Sequence, residues 1–400
     1  MLRCGVAALR LYVLPSTSQA QFHTIKRVNS LPKAAPIDEE LPESERVLSQ
    51  NTSDRRKEIL SLDSATVVNR RPRKKTTNII VEDTHLAQWS KMEPNGLITA
   101  YLQLSKSKLT MLITTTAIAG CFMSPISPAL LTAVGCAAGT TLLSSAANAC
   151  NQLLEAPYDA QMRRTQSRVL VVHRFSPLHA FSFTALTSLS GVAILLATTN
   201  PLTAFLGALN VGLYAGVYTP LKRSHIACTW AGAVVGAIPP LMGYCSMTGV
   251  LDAGALCLGA ILFSWQFPHF NGLSWNLRDD YSRAGYRVMC VTNERLCRVT
   301  SLRHSILLFA LCSVGAPLTN LTTNIFAIDS IPLNLGLLYL SYKFYKAPDA
   351  KNSRHLFFFS LFYLPCIMGL MIVDNATRNS ESKLKNDWAE RIKLKVNQLF

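Results

Sequence analysis

Two stretches of this chain contain no Asp, Glu, Lys or Arg: Leu109 to Leu154, 46 residues, and Phe175 to Leu221, 47 residues. A bilayer crossing takes about 20 predominantly apolar residues, so each stretch is long enough for two passes. Across the 400 residues 49% are hydrophobic and only 16% charged, against about 25% charged in an ordinary soluble domain. A disordered, fibrous or soluble chain does not have this composition and distribution. The expectation is an all-α polytopic membrane protein.

The formal net charge of +16 does not imply nucleic acid, because the basic residues sit in short loops between apolar runs, where membrane orientation accounts for them. Nine spans are expected, near 108–124, 129–154, 176–198, 201–219, 226–247, 253–276, 304–324, 328–345 and 355–374. The loops after the second, fourth, sixth and eighth carry basic residues: Arg163, Arg164, Arg168 and Arg174; Lys222 and Arg223; Arg278, Arg283, Arg287, Arg295, Arg298 and Arg303; Lys343, Lys346, Lys351 and Arg354. The loops after the odd-numbered spans carry none. The positive-inside rule puts the N-terminus and the even loops on one face, and an odd count puts the C-terminus on the other. The eleven cysteines include Cys121, Cys136, Cys228, Cys257 and Cys312 in apolar runs, with no CxxC spacing. They read as small core residues.

Residues 1–37 hold no acidic residue but carry Arg3, Arg10, Lys26, Arg27 and Lys33, the composition of a mitochondrial transit peptide. Residues 38–99 read as a polar linker lacking enough apolar surface to fold alone. The membrane domain is expected over 100–375 and a polar tail over 376–400.

The second span ends in Asn151, Glu155 and Asp159, spaced i, i+4, i+8, which on a helix puts three oxygen-bearing side chains on one face. Such a row suits a hard cation such as Mg²⁺. Arg163, Arg164 and Arg168 follow, and arginines clamp oxyanions. A second set, Asn276, Asp279 and Asp280, follows the sixth span. Lys222 and Arg223, after Tyr218-Thr219-Pro220-Leu221, add two cations. Acids for Mg²⁺ and cations for phosphate are the parts of a diphosphate site. An ion-coupled transporter is the competing reading, but it requires acids near the midplane, whereas these cluster at one face beside arginines.

These segments resemble the UbiA superfamily of intramembrane prenyltransferases. They run from Asn151-Gln-Leu-Leu-Glu155-Ala-Pro-Tyr-Asp159 through Arg164 to Arg168, then Tyr218 to Arg223, Gly236-Ala-Ile-Pro-Pro-Leu-Met-Gly243, and Trp265-Gln-Phe-Pro-His269 to Tyr281. Lys106-Ser-Lys108 also fits. The last segment is similar to that of the haem-farnesylating branch, in its mitochondrial form; a quinone-ring prenyltransferase is the alternative within the superfamily. The resemblance implies a nine-helix bundle around a central apolar chamber, located in the mitochondrial inner membrane among lipid, with the active-site loops towards the matrix. It implies farnesyl transfer from farnesyl diphosphate to a vinyl group of haem b, giving haem O, with Mg²⁺ as cofactor. Asn151, Glu155, Asp159, Asn276, Asp279 and Asp280 would hold metal. Lys108, Arg164, Arg168, Lys222 and Arg223 would bind diphosphate, and His269, Trp275 and Tyr281 would bind haem. Tyr158, Tyr218 and Tyr281 could steady an allylic cation. The haem A synthase and cytochrome c oxidase assembly factors are the implied partners.

Overall fold

The computed structural model describes residues 96–397, with side chains described through residue 377. The expected transit peptide and nearly all of the expected linker lie outside the described residues. Every regular element among the described residues is helical. A short α1 (Leu97–Leu104) leads into α2 (Ser107–Met123), α3 (Leu130–Asp159) and α4 (Pro177–Thr198). Then α5 (Pro201–Gly212) passes through a π-helical turn, Leu213–Tyr218, into α6 (Thr219–Ser224). Next come α7 (Cys228–Thr248), α8 (Ala253–Asn276), and the short α9 (Arg278–Arg283) and α10 (Met289–Thr292). The chain ends with α11 (Glu294–Ala310), a π turn at Leu311–Gly315, α12 (Ala316–Leu318), α13 (Asn324–Asp329), α14 (Ile331–Lys346) and α15 (Ala350–Asn397).

Seven segments among the described residues are long and apolar enough to cross a membrane, not the nine expected. The first expected span is α2, an apolar helix of only 17 residues. The sixth is α8, whose 24 residues include Gln266, His269 and Asn271 in its second half. Both are diluted or shortened where the helix serves the interior. The seventh segment begins at Glu294, ten residues before the expected boundary, because α11 carries Arg295, Arg298 and Arg303 on its own early turns. Hydropathy locates the apolar part of a helix, not its start.

Helix packing follows from side-chain size. Pairs α3–α4, α2–α7, α7–α8, α8–α15 and α11–α14 make the main interfaces. Leu130, Leu178, Leu186 and Leu318 point outward, since lipid solvates them as well as protein does, and close backbone approach then drives association. At the α2–α7 crossing a Cβ on Gly243 would lie 1.8 Å from the Ala117 carbonyl oxygen, and one on Gly120 would lie 2.2 Å from that of Pro240. Only hydrogen fits at either point. Polar residues instead gather on the inner face of α3, where Asn148, Asn151, Gln152, Glu155 and Asp159 are all buried.

Gly243→Ala is expected to destabilise the detergent-solubilised protein by about 2 kcal/mol through overpacking against backbone. Gly369→Ala, with nothing within 4 Å of the added carbon, is expected to stabilise by up to about 1 kcal/mol through helix propensity. Denaturation curves of the two variants beside the wild type check both signs.

Candidate active site

The end of α3 brings its oxygen row against three cations from elsewhere in the chain. Asn151, Glu155 and Asp159 are 1%, 4% and 0% exposed; buried carboxylates in an apolar bundle require partners. Lys106 Nζ donates to Asn151 Oδ1 at 2.6 Å, and Lys222 Nζ to Glu155 Oε1 at 2.7 Å. The Arg168 guanidinium pairs with Asp159 Oδ2. Pro157 does not break the row, for α3 continues helical through it to Asp159.

Each cation is delivered by a distinct local device. Lys106 occupies the left-handed region, with φ 48° and ψ 52°, at the corner between α1 and α2. Such a conformation costs a non-glycine residue about 1–2 kcal/mol, and it turns the side chain back toward α3. Lys222 follows the π turn, which adds a residue per turn and re-aims the helix face; π turns recur at functional sites for this reason. At its end Thr219, the first residue of α6, donates through Oγ1 to the Tyr214 carbonyl at 2.8 Å and accepts there from Asn151 Nδ2 at 3.1 Å. The Lys222 ammonium lies 4.5 Å from the Tyr218 ring centroid and 5.7 Å from that of Tyr286. Arg168 comes from the irregular segment that follows α3, pinned where Thr165 Oγ1 donates to the Asp159 carbonyl at 2.9 Å.

Burial, with the like charges of Arg168 and Lys222, pulls the Lys106 ammonium down to about 7, against the opposing pull of Glu155 and Asp159. Burial pushes the Tyr281 and Tyr286 phenols up, keeping both protonated. Tyr286 stacks edge-on with Tyr158 and with Tyr281, each at 6.1 Å between centroids. The site is thus a ring of tyrosines around a knot of three cations, two carboxylates and an amide.

The other expected residues are placed differently. Arg223 is exposed, its guanidinium 4.1 Å from the Tyr158 ring centroid. Arg164 is exposed at the rim, its charge acting on Tyr281. Lys108 is exposed and forms none of the ion pairs; Lys106, two residues earlier, takes the inward place. The i, i+4 relation of Asn276 and Asp280 does not hold, because the helix breaks at Leu277 between α8 and α9. Asn276 instead donates to Ser353 Oγ on α15 at 2.6 Å. Asp280 pairs with Arg283, and Asp279 is exposed.

On α8 the His269 ring stacks on Trp265 at 4.4 Å, and its Nδ1 meets Ser360 Oγ at 2.9 Å. Trp265 Nε1 donates to the carbonyl of the same Ser360 at 2.9 Å. Trp275 is buried edge-on to Phe344, with Arg278 over its ring, a packing role at the helix end. Sequence reasoning did not single out Tyr214, Tyr286 or Ser360, gave Thr219 no role within the Tyr218–Arg223 segment, and named Lys108 where the structure turns Lys106 toward α3. Only Lys106 left a trace, as the first cation of a Lys-Ser-Lys pair preceding an apolar run.

Residues 111–363 match the UbiA prenyltransferase family. The mitochondrial protoheme IX farnesyltransferase of Homo sapiens is 44% identical over 355 residues, covering 87% of this chain and 78% of that protein. The corresponding protein of Saccharomyces cerevisiae is 40% identical over 304 residues, covering 70% and 65%. The chain belongs to the UbiA prenyltransferase family, on its protoheme IX farnesyltransferase branch. Solved UbiA-type structures share the fold. A UbiA homologue from Aeropyrum pernix K1 superposes with TM-score 0.55 at 20% identity, covering 66% of this chain and 97% of that one. A homologue from Archaeoglobus fulgidus bound to DMAPP and Mg²⁺ superposes with TM-score 0.55 at 14% identity, covering 70% and 99%.

For a UbiA chain the donor set at the end of α3 fits Mg²⁺. Asp159 Oδ1 is buried without a hydrogen-bond partner, although Oδ2 of the same carboxylate is paired. A hard oxygen left open beside Glu155 and Asn151 matches what Mg²⁺ takes. Among the described residues no three His, Cys, Asp or Glu converge, so the protein would supply few ligands and leave the rest to phosphate and water, the usual division for this ion.

Lys222→Met should cost about 3 kcal/mol of stability by leaving Glu155 an unpaired buried charge. Adding Glu155→Gln should recover most of that loss. Unfolding free energies of the single and double variants, measured in the same detergent, check the coupling.

Proposed function

We propose that this chain transfers the farnesyl group of farnesyl diphosphate to a vinyl group of haem b, yielding haem O. The observation that carries this reading is the set of three basic side chains, Lys106, Arg168 and Lys222, held on the buried oxygen row of α3, with Tyr218 and Tyr286 beside Lys222. Two carboxylates alone need no third cation. Arg168 and Lys222 answer the two carboxylates, which leaves Lys106 and the rim of Arg164 and Arg223 for an anion with several charged oxygens, whose arrival favours the charged form of Lys106. The mitochondrial relatives named for protoheme IX supply the acceptor.

In this reaction the bond between farnesyl C1 and the diphosphate oxygen breaks, and its electron pair leaves with the diphosphate. Lys106, Lys222 and Arg168 stabilise the growing charge on that group, which is preorganised electrostatic catalysis. Asn151, Glu155 and Asp159 would hold Mg²⁺, whose chemistry when bound is to neutralise the diphosphate and make it a better leaving group. Asp279 and Asp280, beside Tyr281 at the α8–α9 corner, would be the carboxylates for a second metal, while Asn276 is held by Ser353. The faces of Tyr158, Tyr218, Tyr281 and Tyr286 steady the allylic cation, and the apolar chamber withholds water from it. The vinyl π electrons of haem b then form the new carbon–carbon bond at C1. Water adds to the resulting cation and loses a proton, leaving the hydroxyethyl group.

His269 is the chain's candidate for the haem. Ser360 takes Nδ1 and Trp265 fixes the ring plane, which frees Nε2 to meet iron. The alternation of loop charge supports a matrix-facing site in the mitochondrial inner membrane, with the C-terminus on the opposite side. The product would pass to the haem A synthase and cytochrome c oxidase assembly factors.

The test is a product assay on residues 79–400 in membranes supplied with haem b, farnesyl diphosphate and Mg²⁺, read by the mass of extracted haem. A gain of one farnesyl group plus one hydroxyl, abolished by EDTA, is expected. Asp159→Ala should lower kcat roughly 10²–10³-fold, the range for removing one charge-stabilising group. Lys106→Met should fall comparably while Lys108→Met stays near wild type. Absence of any new haem species from folded protein would rule out the acceptor, and aromatic quinone precursors would be offered next.

A further inference from the structure

Next to the oxygen row of α3 runs a second row that touches no cation. Asn148 and Gln152 are spaced i, i+4 and lie one helical step from Asn151 and Glu155. Both are buried, at 2% and 1% exposure. Their amides point at the corner between α1 and α2. Gln152 Nε2 donates to the carbonyls of Gln103 and Leu104, each at 2.8 Å. Asn148 Nδ2 donates to the Ser105 carbonyl at 3.3 Å and to Thr110 Oγ1 at 3.1 Å. Thr110 Oγ1 itself donates to the Ser105 carbonyl at 2.8 Å.

Three consecutive carbonyls, 103 to 105, are therefore held by one face of α3. A helix end leaves its last carbonyls without intrahelical partners, and ordinarily water or a glycine turn satisfies them. Here the next residue is Lys106 in the left-handed conformation, which survives only when its surroundings over-determine it. The same helix that carries Asn151 thus grips the backbone immediately before the lysine that reaches Asn151.

We infer that Asn148 and Gln152 are positioning residues that set Lys106 over the site, and that their effect on prenyl-diphosphate binding passes through the Lys106 ammonium. The inference rests on the diphosphate reading above. The amides touch neither substrate nor metal. They convert the register of α3 into the location of one charge, so cation and oxygen row move as a unit. An amide is the side chain that does this: it supplies two donors for carbonyls without adding charge beside an ammonium.

The experiment is a double-mutant cycle on the full membrane domain. Gln152→Met keeps side-chain length and removes both donors. Binding of farnesyl diphosphate is read, without haem, as the ligand-induced rise in melting temperature, and KM and kcat are read separately in the product assay. In the wild-type background Gln152→Met is expected to weaken binding and raise KM about tenfold, the size of one charge-assisted hydrogen bond. In the Lys106→Met background the same change should have an effect of less than about twofold, because residues acting through one group are not additive. Equal losses in both backgrounds would overturn the inference and assign Gln152 to general packing. If Gln152→Met does not fold, Asn148→Ala removes only the bonds to Ser105 and Thr110 and runs through the same cycle with the same two outcomes. Wild-type protein that binds no prenyl diphosphate would remove the diphosphate reading itself, and the role of the clamp with it.

Discussion

Two carboxylates buried at the end of one apolar helix are the constraint around which the site is organised. Glu155 and Asp159 stand where uncompensated charge is costly, and each is answered by a cation from another part of the chain. With Lys106 on Asn151, the answering groups come from the α1–α2 corner, the segment after α3, and α6. Three stretches far apart in sequence, together with the segment that directly follows α3, are thereby locked to one another. The same pairing leaves one basic side chain, Lys106, beyond the two that the carboxylates take.

Two of the irregular backbone features in the fold serve that knot. The π turn at Leu213–Tyr218 turns Tyr218 and Lys222 toward α3, and the left-handed Lys106 does so from the other side. The long helices pack through glycines at crossings such as α2–α7 and present leucines outward. Rigid, closely packed helices let a few strained residues hold their places. The Trp265, His269 and Ser360 arrangement joins α8 to α15 and shares no residue with the charge knot.

Much of the site was legible because one helix carries it. Asn151, Glu155 and Asp159 share a face by spacing alone, and the proline among them does not disturb the row. Lys222 and Arg168 were legible as cations near that face, though their partners were not. Lys106 and Lys108 were both noted and the role given to Lys108, since helical periodicity says nothing about a residue that precedes the helix in a left-handed turn. Asn276 and Asp280 were read as a helical pair, and a helix break at Leu277, carried by no proline or glycine, separates them. The clamp of Asn148 and Gln152 had no sequence signal, for polar residues within an apolar run do not name the carbonyls they hold.

The sequence by itself determined the membrane class, the helical architecture and the oxygen row, because these follow from local quantities: uninterrupted apolar length and the 3.6-residue turn. Tertiary structure alone decided which cation meets which oxygen, which of two neighbouring lysines turns toward α3, and that Tyr286 packs beside Lys222. Those choices depend on where distant helices cross and where backbone leaves regular geometry, and they are made by the energy of burying charge among all the segments at once.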